Sequence, residues 1–427
     1  MSSEYERGIR EHLPQFSLHV LLVFATGLTI GSERAVVPVL GRDVLGVESL
    51  FITGSFVVSF GFVKALLNLY AGKWGETYGR KPVLVVGWVT ALPLPLILIH
   101  APNWGWITLG NVLLGINQAL TWSMAINAKI DLAGRDQRGL AVGIDESFGY
   151  TGVAVGAWLT GLIAGQTESL RPEPFYFLAV VVVLAFLVSV TLIRETAQYA
   201  EAEGNDDEAD ANLPFLEVLK RATYGDRTLF AAAQAGHIEN FVDTLFWIAV
   251  PLYLTRQGLG ITAVGVVVGV HSAAYFLQIA TGGLADRIGR RPPVVVGMFV
   301  AGAGVIGMVA VEGYVSWIAM AFISGVGMAL LYPNLMTVPG DACHPTWRSS
   351  GMGVYRMWRD AGYGVGAIVI GLTMQGVNPE AAFYLTGVLM FLSGGVVYLW
   401  MEETHPDFGT HTPPALALER ERVLSDD

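Results

Sequence analysis

The sequence is built from long apolar blocks that are separated by short polar or charged stretches. A helix needs about 20 apolar residues to cross roughly 30 Å of hydrocarbon, and the blocks have this length. Inside a bilayer only helices and closed β-barrels satisfy their backbone hydrogen bonds, and a barrel strand would alternate apolar and polar residues. Solid apolar blocks therefore predict an all-α membrane protein that crosses the bilayer many times.

The composition agrees with a membrane protein. The 427 residues are 53% hydrophobic and 14% charged, whereas soluble globular proteins carry about 25% charged residues. A single cysteine, Cys343, excludes an intramolecular disulfide. The first 13 residues are polar and charged, so we expect no cleavable signal peptide.

The apolar blocks predict twelve spans in two bundles. The spans cover 17–40, 50–71, 83–101, 105–128, 139–163, 174–193, 228–254, 262–281, 293–311, 315–338, 349–373 and 381–401. The predicted domains are an N-terminal tail at 1–16, a six-helix bundle at 17–193, an acidic linker at 194–227, a second six-helix bundle at 228–401 and a C-terminal tail at 402–427.

The positions of Lys and Arg predict the orientation. If both termini are cytoplasmic, the outer loops hold only Arg42, Arg171 and Arg256 of the 25 basic residues. Loops on the cytoplasmic side of a membrane carry an excess of Lys and Arg. We therefore expect a multi-pass protein of the cell membrane with both ends in the cytoplasm.

One stretch occurs twice. The segment Gly72–Lys81 returns as Gly282–Arg291, 210 positions later, and each copy is followed by a proline. At the same offset, Asp131 and Arg138 match Asp341 and Arg348. A register held across separate loops indicates a duplicated six-span unit, which is a recurring transporter design.

The second copy reads Gly-Gly-Leu-Ala-Asp-Arg-Ile-Gly-Arg-Arg and lies between spans eight and nine. With twelve spans in two halves, it makes the chain resemble the major facilitator superfamily, and the multidrug or metabolite efflux members in particular. The first copy departs from the family pattern, because Glu76 and Thr77 replace the usual aspartate and arginine.

The resemblance implies that a network of ion pairs in these loops closes the cytoplasmic side, since arginine pairs bidentately with carboxylates. Alternatively, the loop arginines only fix the topology. The residues implied are Gly72, Glu76, Gly79, Arg80, Lys81, Asp131, Arg138, Gly282, Asp286, Arg287, Gly289, Arg290, Arg291, Asp341 and Arg348.

The resemblance also implies that spans two and eleven meet across the two halves, as do spans five and eight. Two family patterns are imperfect. Asn111 stands in span four where many proton-coupled members carry an arginine, and Ala157 replaces the proline of the antiporter pattern in glycine-rich span five. Export is favoured only slightly by these patterns.

Ionisable residues inside spans cost about 2.5–3.5 kcal/mol each at the centre of the bilayer, so each needs an explanation. Lys64, Glu146 and Arg356 lie at one depth, eight residues from the loop anchors of their helices. We expect Lys64 to reach Asp360. Either the charges form static pairs that fix the packing of the halves, or Lys64 and Arg356 face an anionic substrate.

Span seven carries four polar residues near its middle, His237, Glu239, Asn240 and Asp243. Glu239 and Asp243 are four residues apart and so share a helix face. Two close carboxylates in a low dielectric repel, which favours a bound proton on one of them. The alternative is a structural pair tied to His237, Asn240 and Tyr332.

The remaining charges leave alternatives open. Glu33 and Arg34 in span one lie either at a solvated outer mouth or along the cavity. His271 and Gln278 are candidate partners for Glu146. The full set of candidate residues for the substrate or proton pathway is Arg34, Lys64, Asn127, Asp145, Glu146, Glu239, Asn240, Asp243, Tyr332, Arg356, Arg359 and Asp360.

These features favour a secondary active transporter over a membrane enzyme or a sensor. The sequence has no metal cluster, nucleophile–base pair, cofactor signature or Walker phosphate loop. We therefore expect no cofactor and no nucleic-acid partner, and a monomer that works with a small-molecule substrate, a proton or other coupling ion, and the lipid bilayer. Proton-coupled efflux of a small organic solute or drug is the first hypothesis, and uptake or exchange of an organic anion is the second.

Overall fold

The computed structural model describes residues 7–133, 138–199, 215–343 and 348–405. Within these ranges the chain is helical and contains no β-strand, as the apolar blocks predict. The N-terminal half, spans one to six, consists of Leu13–Arg34 with Val37–Asp43, Leu50–Tyr78, Arg80–Ala91 with Leu94–His100, Trp104–Ala133, Arg138–Thr167 and Glu173–Thr191.

The C-terminal half, spans seven to twelve, follows the short linker helix Phe215–Lys220. Span eight contains a 3₁₀ turn, Ala274–Leu277, between its two helical parts. The spans are Arg227–Arg256, Ile261–Ala273 with Gln278–Ile288, Arg291–Ala310, Tyr314–Ala342, Arg348–Gly376 and Pro379–Trp400.

Nine spans in the described part of the chain are long and apolar enough to cross a membrane by length and composition. The other three are spans four, seven and eleven, with 30, 30 and 29 residues. They are of spanning length but carry more polar residues. Polar spans must face the interior of a helix bundle rather than lipid, and these three supply most of the candidate site.

The two halves pack against each other through spans two and eleven and through spans five and eight, which confirms the expected contacts. Glycines permit the close approach. A side chain at Gly61 in span two would collide with the backbone of Gly364 in span eleven, and Gly161 in span five lies against Gly265 in span eight. Small residues allow backbones to approach in this way between membrane helices.

The two ends of the bundle differ. We call the end with both chain termini the terminal side and the opposite end the far side. Residues 25–41 of span one and 239–254 of span seven are buried on every face, so the far side is closed around them. Toward the terminal side, a side chain added at Gly143 or Gly353 would meet no atom within 4 Å, so open space adjoins spans five and eleven there.

Candidate functional site

The repeated loops are shorter than the sequence suggests. Span two remains helical to Tyr78, and span eight remains helical to Ile288. The chain reverses only at Gly79 and Gly289, where φ is +93° and +90°. Residues with a side chain rarely adopt such angles, so these two glycines form the turns, whereas Gly282 lies within a helix.

Each loop is fixed by an ion pair. Arg80 Nε lies 3.0 Å from an oxygen of Asp131, and Arg290 Nε lies 3.5 Å from an oxygen of Asp341. Both pairs join residues of the same half, and they fasten each loop to the end of span four or span ten. Closure of the cytoplasmic side by a wider network of these loops stays a prediction.

Two further arginines of the second loop were predicted. Arg287 is exposed, and the Arg291 guanidinium lies 5.2 Å from the ring centre of Tyr398. Gly72 lies within the helix of span two, and the side chains of Glu76, Arg138, Asp286 and Arg348 lie outside the described part of the structure.

Two carboxylates that were not predicted hold the same loops. Glu195 accepts hydrogen bonds from the backbone N–H groups of Arg80 and Lys81, at 2.8 and 3.1 Å. Glu403 accepts the equivalent bonds from Arg290 and Arg291, at 2.8 and 3.0 Å. These N–H groups begin the helices of spans three and nine, where backbone donors lack partners and the helix dipole favours a negative charge.

Both carboxylates are therefore stabilised in their ionised form. Partial burial alone would raise the pKa of Glu195 and of Glu403, but four backbone N–H groups at each outweigh burial and lower both pKa values below the usual range. The available sequence signal is the Glu-Thr dipeptide, which follows span six at Glu195 and span twelve at Glu403.

The central charges form one cluster across the halves. Lys64 Nζ in span two lies 3.7 Å from Asp360 in span eleven, which confirms the expected pair. Asn68 donates a second hydrogen bond from span two to Asp360. Arg359 lies 2.8 Å from the other oxygen of Asp360 and 3.3 Å from Glu239 in span seven. Arg359 therefore links spans seven and eleven by an ion pair.

Aromatic rings surround the two paired bases. Lys64 Nζ lies 5.7, 5.5 and 5.2 Å from the ring centres of Phe60, Trp122 and Tyr363. Arg359 lies 4.0 Å from the ring centre of Tyr332 and donates to the hydroxyl of Tyr150 at 3.1 Å. Cations are attracted to ring faces most strongly where water is excluded, so both bases are held in place.

Asp243 has a different environment. It accepts hydrogen bonds from the hydroxyls of Tyr275 and Tyr363 at 2.6 and 3.2 Å, and His271 Nε2 lies 3.5 Å away. His271 therefore faces Asp243, and the expectation that it pairs with Glu146 is wrong. The shared face of Glu239 and Asp243 does not make them a pair either, because Glu239 has its own partner in Arg359.

Asn240 and Asn127, both predicted to line the pathway, are placed differently. Asn240 is buried and donates to the backbone carbonyl of Arg359 at 2.7 Å, which helps to fix span eleven. Asn127 is half-buried, and no side-chain hydrogen bond of it is found among the described residues.

Span one contributes a second buried cluster nearer the far side. Asn111 donates to Glu33 at 2.8 Å and accepts from Arg34 at 3.3 Å. Arg34 is 0% exposed and lies 4.6 Å from the ring centre of Trp247 in the other half. The alternative of a solvated mouth is therefore wrong for Glu33 and Arg34. Span four has Asn111 in place of the family's arginine, but Arg34 of span one places a guanidinium beside Asn111.

The comparisons with known proteins agree with this architecture. The family model of the Major Facilitator Superfamily matches residues 22–360, and a second match covers 235–423. The chain belongs to the major facilitator superfamily. It is thus a membrane transporter with the all-α fold of that family.

Among curated relatives of this transporter, the class B tetracycline resistance protein of Escherichia coli is 24% identical over 330 residues, which cover 74% of this chain and 77% of the relative. The uncharacterised transporter YhhS of Escherichia coli strain K12 is 24% identical over 429 residues, 96% of each chain. The uncharacterised transporter YddS of Bacillus subtilis strain 168 is 25% identical over 358 residues, 78% of this chain and 79% of the relative.

The charged positions of span five complete the site of this transporter. Asp145 is fully buried and forms an ion pair with Lys129 of span four, within the same half. The neighbouring Glu146 accepts a hydrogen bond from Trp122 Nε1 at 3.1 Å through one oxygen, and its other oxygen is buried without a hydrogen-bond partner. Arg356 is half-buried and is not ion-paired within the described residues.

The charge balance of the central layer is uneven. Four carboxylates, Glu146, Glu239, Asp243 and Asp360, face the three bases Lys64, Arg356 and Arg359, so the ionised layer carries one excess negative charge. Two of the carboxylates are neutralised by Lys64 and Arg359. A transporter can compensate the remaining charge with a proton or with a cationic group of its substrate.

Proposed function

We propose that this transporter exports a small organic solute in exchange for protons, and that Asp243 carries the coupling proton. The observation that supports this is the environment of Asp243, a carboxylate buried in a membrane protein whose near partners are two hydroxyls and an imidazole. A carboxylate held by hydroxyls and an imidazole, rather than by Lys or Arg, can exchange a proton without breaking an ion pair to a permanent cation.

The groups around Asp243 couple its protonation to the opening of the far side. Glu239 lies one helical turn away but is neutralised by Arg359. Arg34 of the opposite half lies within electrostatic range of Asp243. The ionised carboxylate attracts this guanidinium and favours the closed far side, whereas a protonated Asp243 no longer does so. Protonation thereby lowers the cost of opening the far side.

Export agrees with the names of two relatives, the class B and class E tetracycline resistance proteins of Escherichia coli. The second hypothesis, uptake or exchange of an organic anion, would use the three bases of the central layer. Asp360 and Glu239 neutralise two of them, Lys64 and Arg359. Only Arg356 is then left for an anion, so we place export first.

The test is a transport screen in proteoliposomes under an imposed pH gradient, with lipophilic cations compared with organic anions. We expect Asp243→Asn to abolish acceleration by the gradient while solute binding and gradient-free exchange persist. Glu48→Gln, which changes an exposed far-side carboxylate, is the control and should behave as the native protein. An Asp243→Asn protein that still responds to the gradient would refute proton coupling through this residue.

We further propose that the terminal side faces the cytoplasm and that the protein resides in the cell membrane. Tyr78 and Val377 are 67% and 72% exposed on opposite sides of the bundle. A membrane-impermeant maleimide applied to intact cells should label Val377→Cys and spare Tyr78→Cys until the cells are permeabilised. The reverse labelling would invert the topology.

A further inference from the structure

The duplicated architecture places two opposite charges at equivalent positions. Glu146 in span five and Arg356 in span eleven are 210 residues apart, the offset of the internal repeat. Each follows an arginine of the loop before it, Arg138 or Arg348, by eight residues. One half therefore presents a carboxylate, and the other half a guanidinium, at the same depth.

Glu146 and Arg356 belong to the central layer, and neither has an ion-pair partner among the described residues. One Glu146 oxygen is buried and has no hydrogen-bond partner in the part of the chain that the structure describes. Arg356 lies within electrostatic range of Glu146, but the two do not form an ion pair in the described structure. A buried charge without a partner is costly, and a bound ligand that supplies the partner removes this cost.

Open space adjoins the helix faces on which both charges lie. Gly143 and Gly353 lie three residues before Glu146 and Arg356, and residues three apart share a helix face. A side chain added at either glycine would meet no atom within 4 Å. The open space thus lies about one helical turn from each charge, toward the terminal side and on the same face of the helix.

Aromatic rings from both halves border the same region. Tyr150 lies 5.6 Å from Trp122 in its own half and 4.4 and 5.4 Å from Tyr275 and Tyr332 in the other, measured between ring centres. Trp122 also donates to Glu146. Flat apolar groups bind well against such rings.

We propose that the transported solute is amphoteric, with a protonated amine that binds Glu146, an anionic group such as a carboxylate that binds Arg356, and an apolar ring between them. This inference deepens the proposed export function and rests on it. A solute with one charge would leave either Glu146 or Arg356 uncompensated in a low dielectric. A solute with both charges satisfies the two residues and adds no net charge to the membrane interior.

The experiment compares three indole compounds with a common ring: tryptophan, which is zwitterionic, tryptamine, which is a cation, and indole-3-propionate, which is an anion. Binding to the full-length protein in nanodiscs is measured at one neutral pH. We expect tryptophan to bind at least about tenfold more tightly than the other two, since each charged contact contributes on the order of one power of ten.

Two variants test the assignment of each charge. Glu146→Gln should weaken tryptophan and tryptamine at least about tenfold and spare indole-3-propionate, whereas Arg356→Gln should weaken tryptophan and indole-3-propionate and spare tryptamine. Far-side Glu48→Gln serves as the control for a lost carboxylate, because Glu48 is exposed. Thermal unfolding of each variant shows that it remains folded.

The proposal is overturned if both variants weaken all three compounds alike, because Glu146 and Arg356 would then act only on the packing of the halves. It is also overturned if tryptamine or indole-3-propionate binds more tightly than tryptophan, or if none of the three binds at millimolar concentration. Failure of the proposed function would instead appear as an unchanged response of Asp243→Asn to the pH gradient.

Discussion

The two halves use the same residues at their loops and different residues in the middle of the bundle. In each half a carboxylate after the sixth span, Glu195 or Glu403, binds the backbone of the following helix at its start. At the equivalent central positions of the repeat, Glu146 corresponds to Arg356, and Tyr150 corresponds to Asp360.

The difference separates two kinds of constraint. A tight reversal between two helices needs the same turn glycine and the same acceptor for the free N–H groups in either half. Under the proposed function the central layer binds one asymmetric solute and one proton, so identical charges on both sides would repel. On this proposal, duplication persists where it stabilises the fold and is lost where the two halves share a substrate.

The largest effect should come from the central layer. Arg359→Gln removes the ion-pair partner of Glu239 and one of the two ion-pair partners of Asp360, and breaking a buried ion pair costs about 3–5 kcal/mol. We expect a large fall in thermal stability, measured with the purified protein, and a partial recovery when Glu239→Gln is added. Arg42→Gln, which breaks a pair at a partly exposed site, is the control. If Arg42→Gln lowered thermal stability as much as Arg359→Gln, the central network would have no special importance for stability.

A smaller effect is expected at the turns. Gly79→Ala and Gly289→Ala force a side chain into a positive φ, which costs about 1–2 kcal/mol. Both substitutions should lower the unfolding temperature by a similar amount, because the turns are equivalent. Gly282→Ala lies in a helix with no atom within 4 Å and should have little effect. Unequal losses at Gly79 and Gly289 would break the proposed equivalence of the loops.

The smallest effect should come from the two loop carboxylates. Glu195→Gln and Glu403→Gln each remove a charge that caps a helix, a change of about 0.5–1 kcal/mol at a partly exposed site. Because their pKa values are lowered in the folded protein, their stabilisation is present at neutral pH and is lost as the pH falls through the lowered values. The variants should therefore approach the native protein in stability at acidic pH. A deficit that is unchanged at acidic pH would assign the effect to packing.

Long-range regularities made much of the fold predictable. Block length predicted the spans, and the 210-residue offset predicted the paired loops. Counting residues from each loop gave the depth of Lys64, the family resemblance implied that spans two and eleven meet, and the structure confirms the contact of Lys64 with Asp360. Block length, repeat and depth are properties of the sequence itself, whereas the meeting of the two spans came from the resemblance.

The partners of individual charges were less predictable. Arg359 is adjacent to Asp360 in the chain, and adjacent residues on a helix point in different directions, yet the long arginine side chain reaches both Asp360 and Glu239. The contact of Asp243 with His271 depends on the rotation of two helices about their axes. The depth of a residue in the membrane can be read from the sequence, whereas the rotation of its helix about the helix axis is set by tertiary packing.

The proposed proton-coupled export requires the far side and the terminal side to open in turn as the two halves move about the charge layer, and distances between spin labels test this most directly. After buried Cys343 is replaced by alanine, one label pair at Tyr78 and Ile288 reports on the terminal side, and a second at Val44 and Gln257 reports on the far side. As the pH is lowered, we predict that the far-side distance lengthens while the terminal-side distance shortens, and that Asp243→Asn, which mimics the protonated carboxylate, shows these distances at neutral pH. Distances that change in the same direction, or that do not change at all, would contradict alternating motion of the two halves.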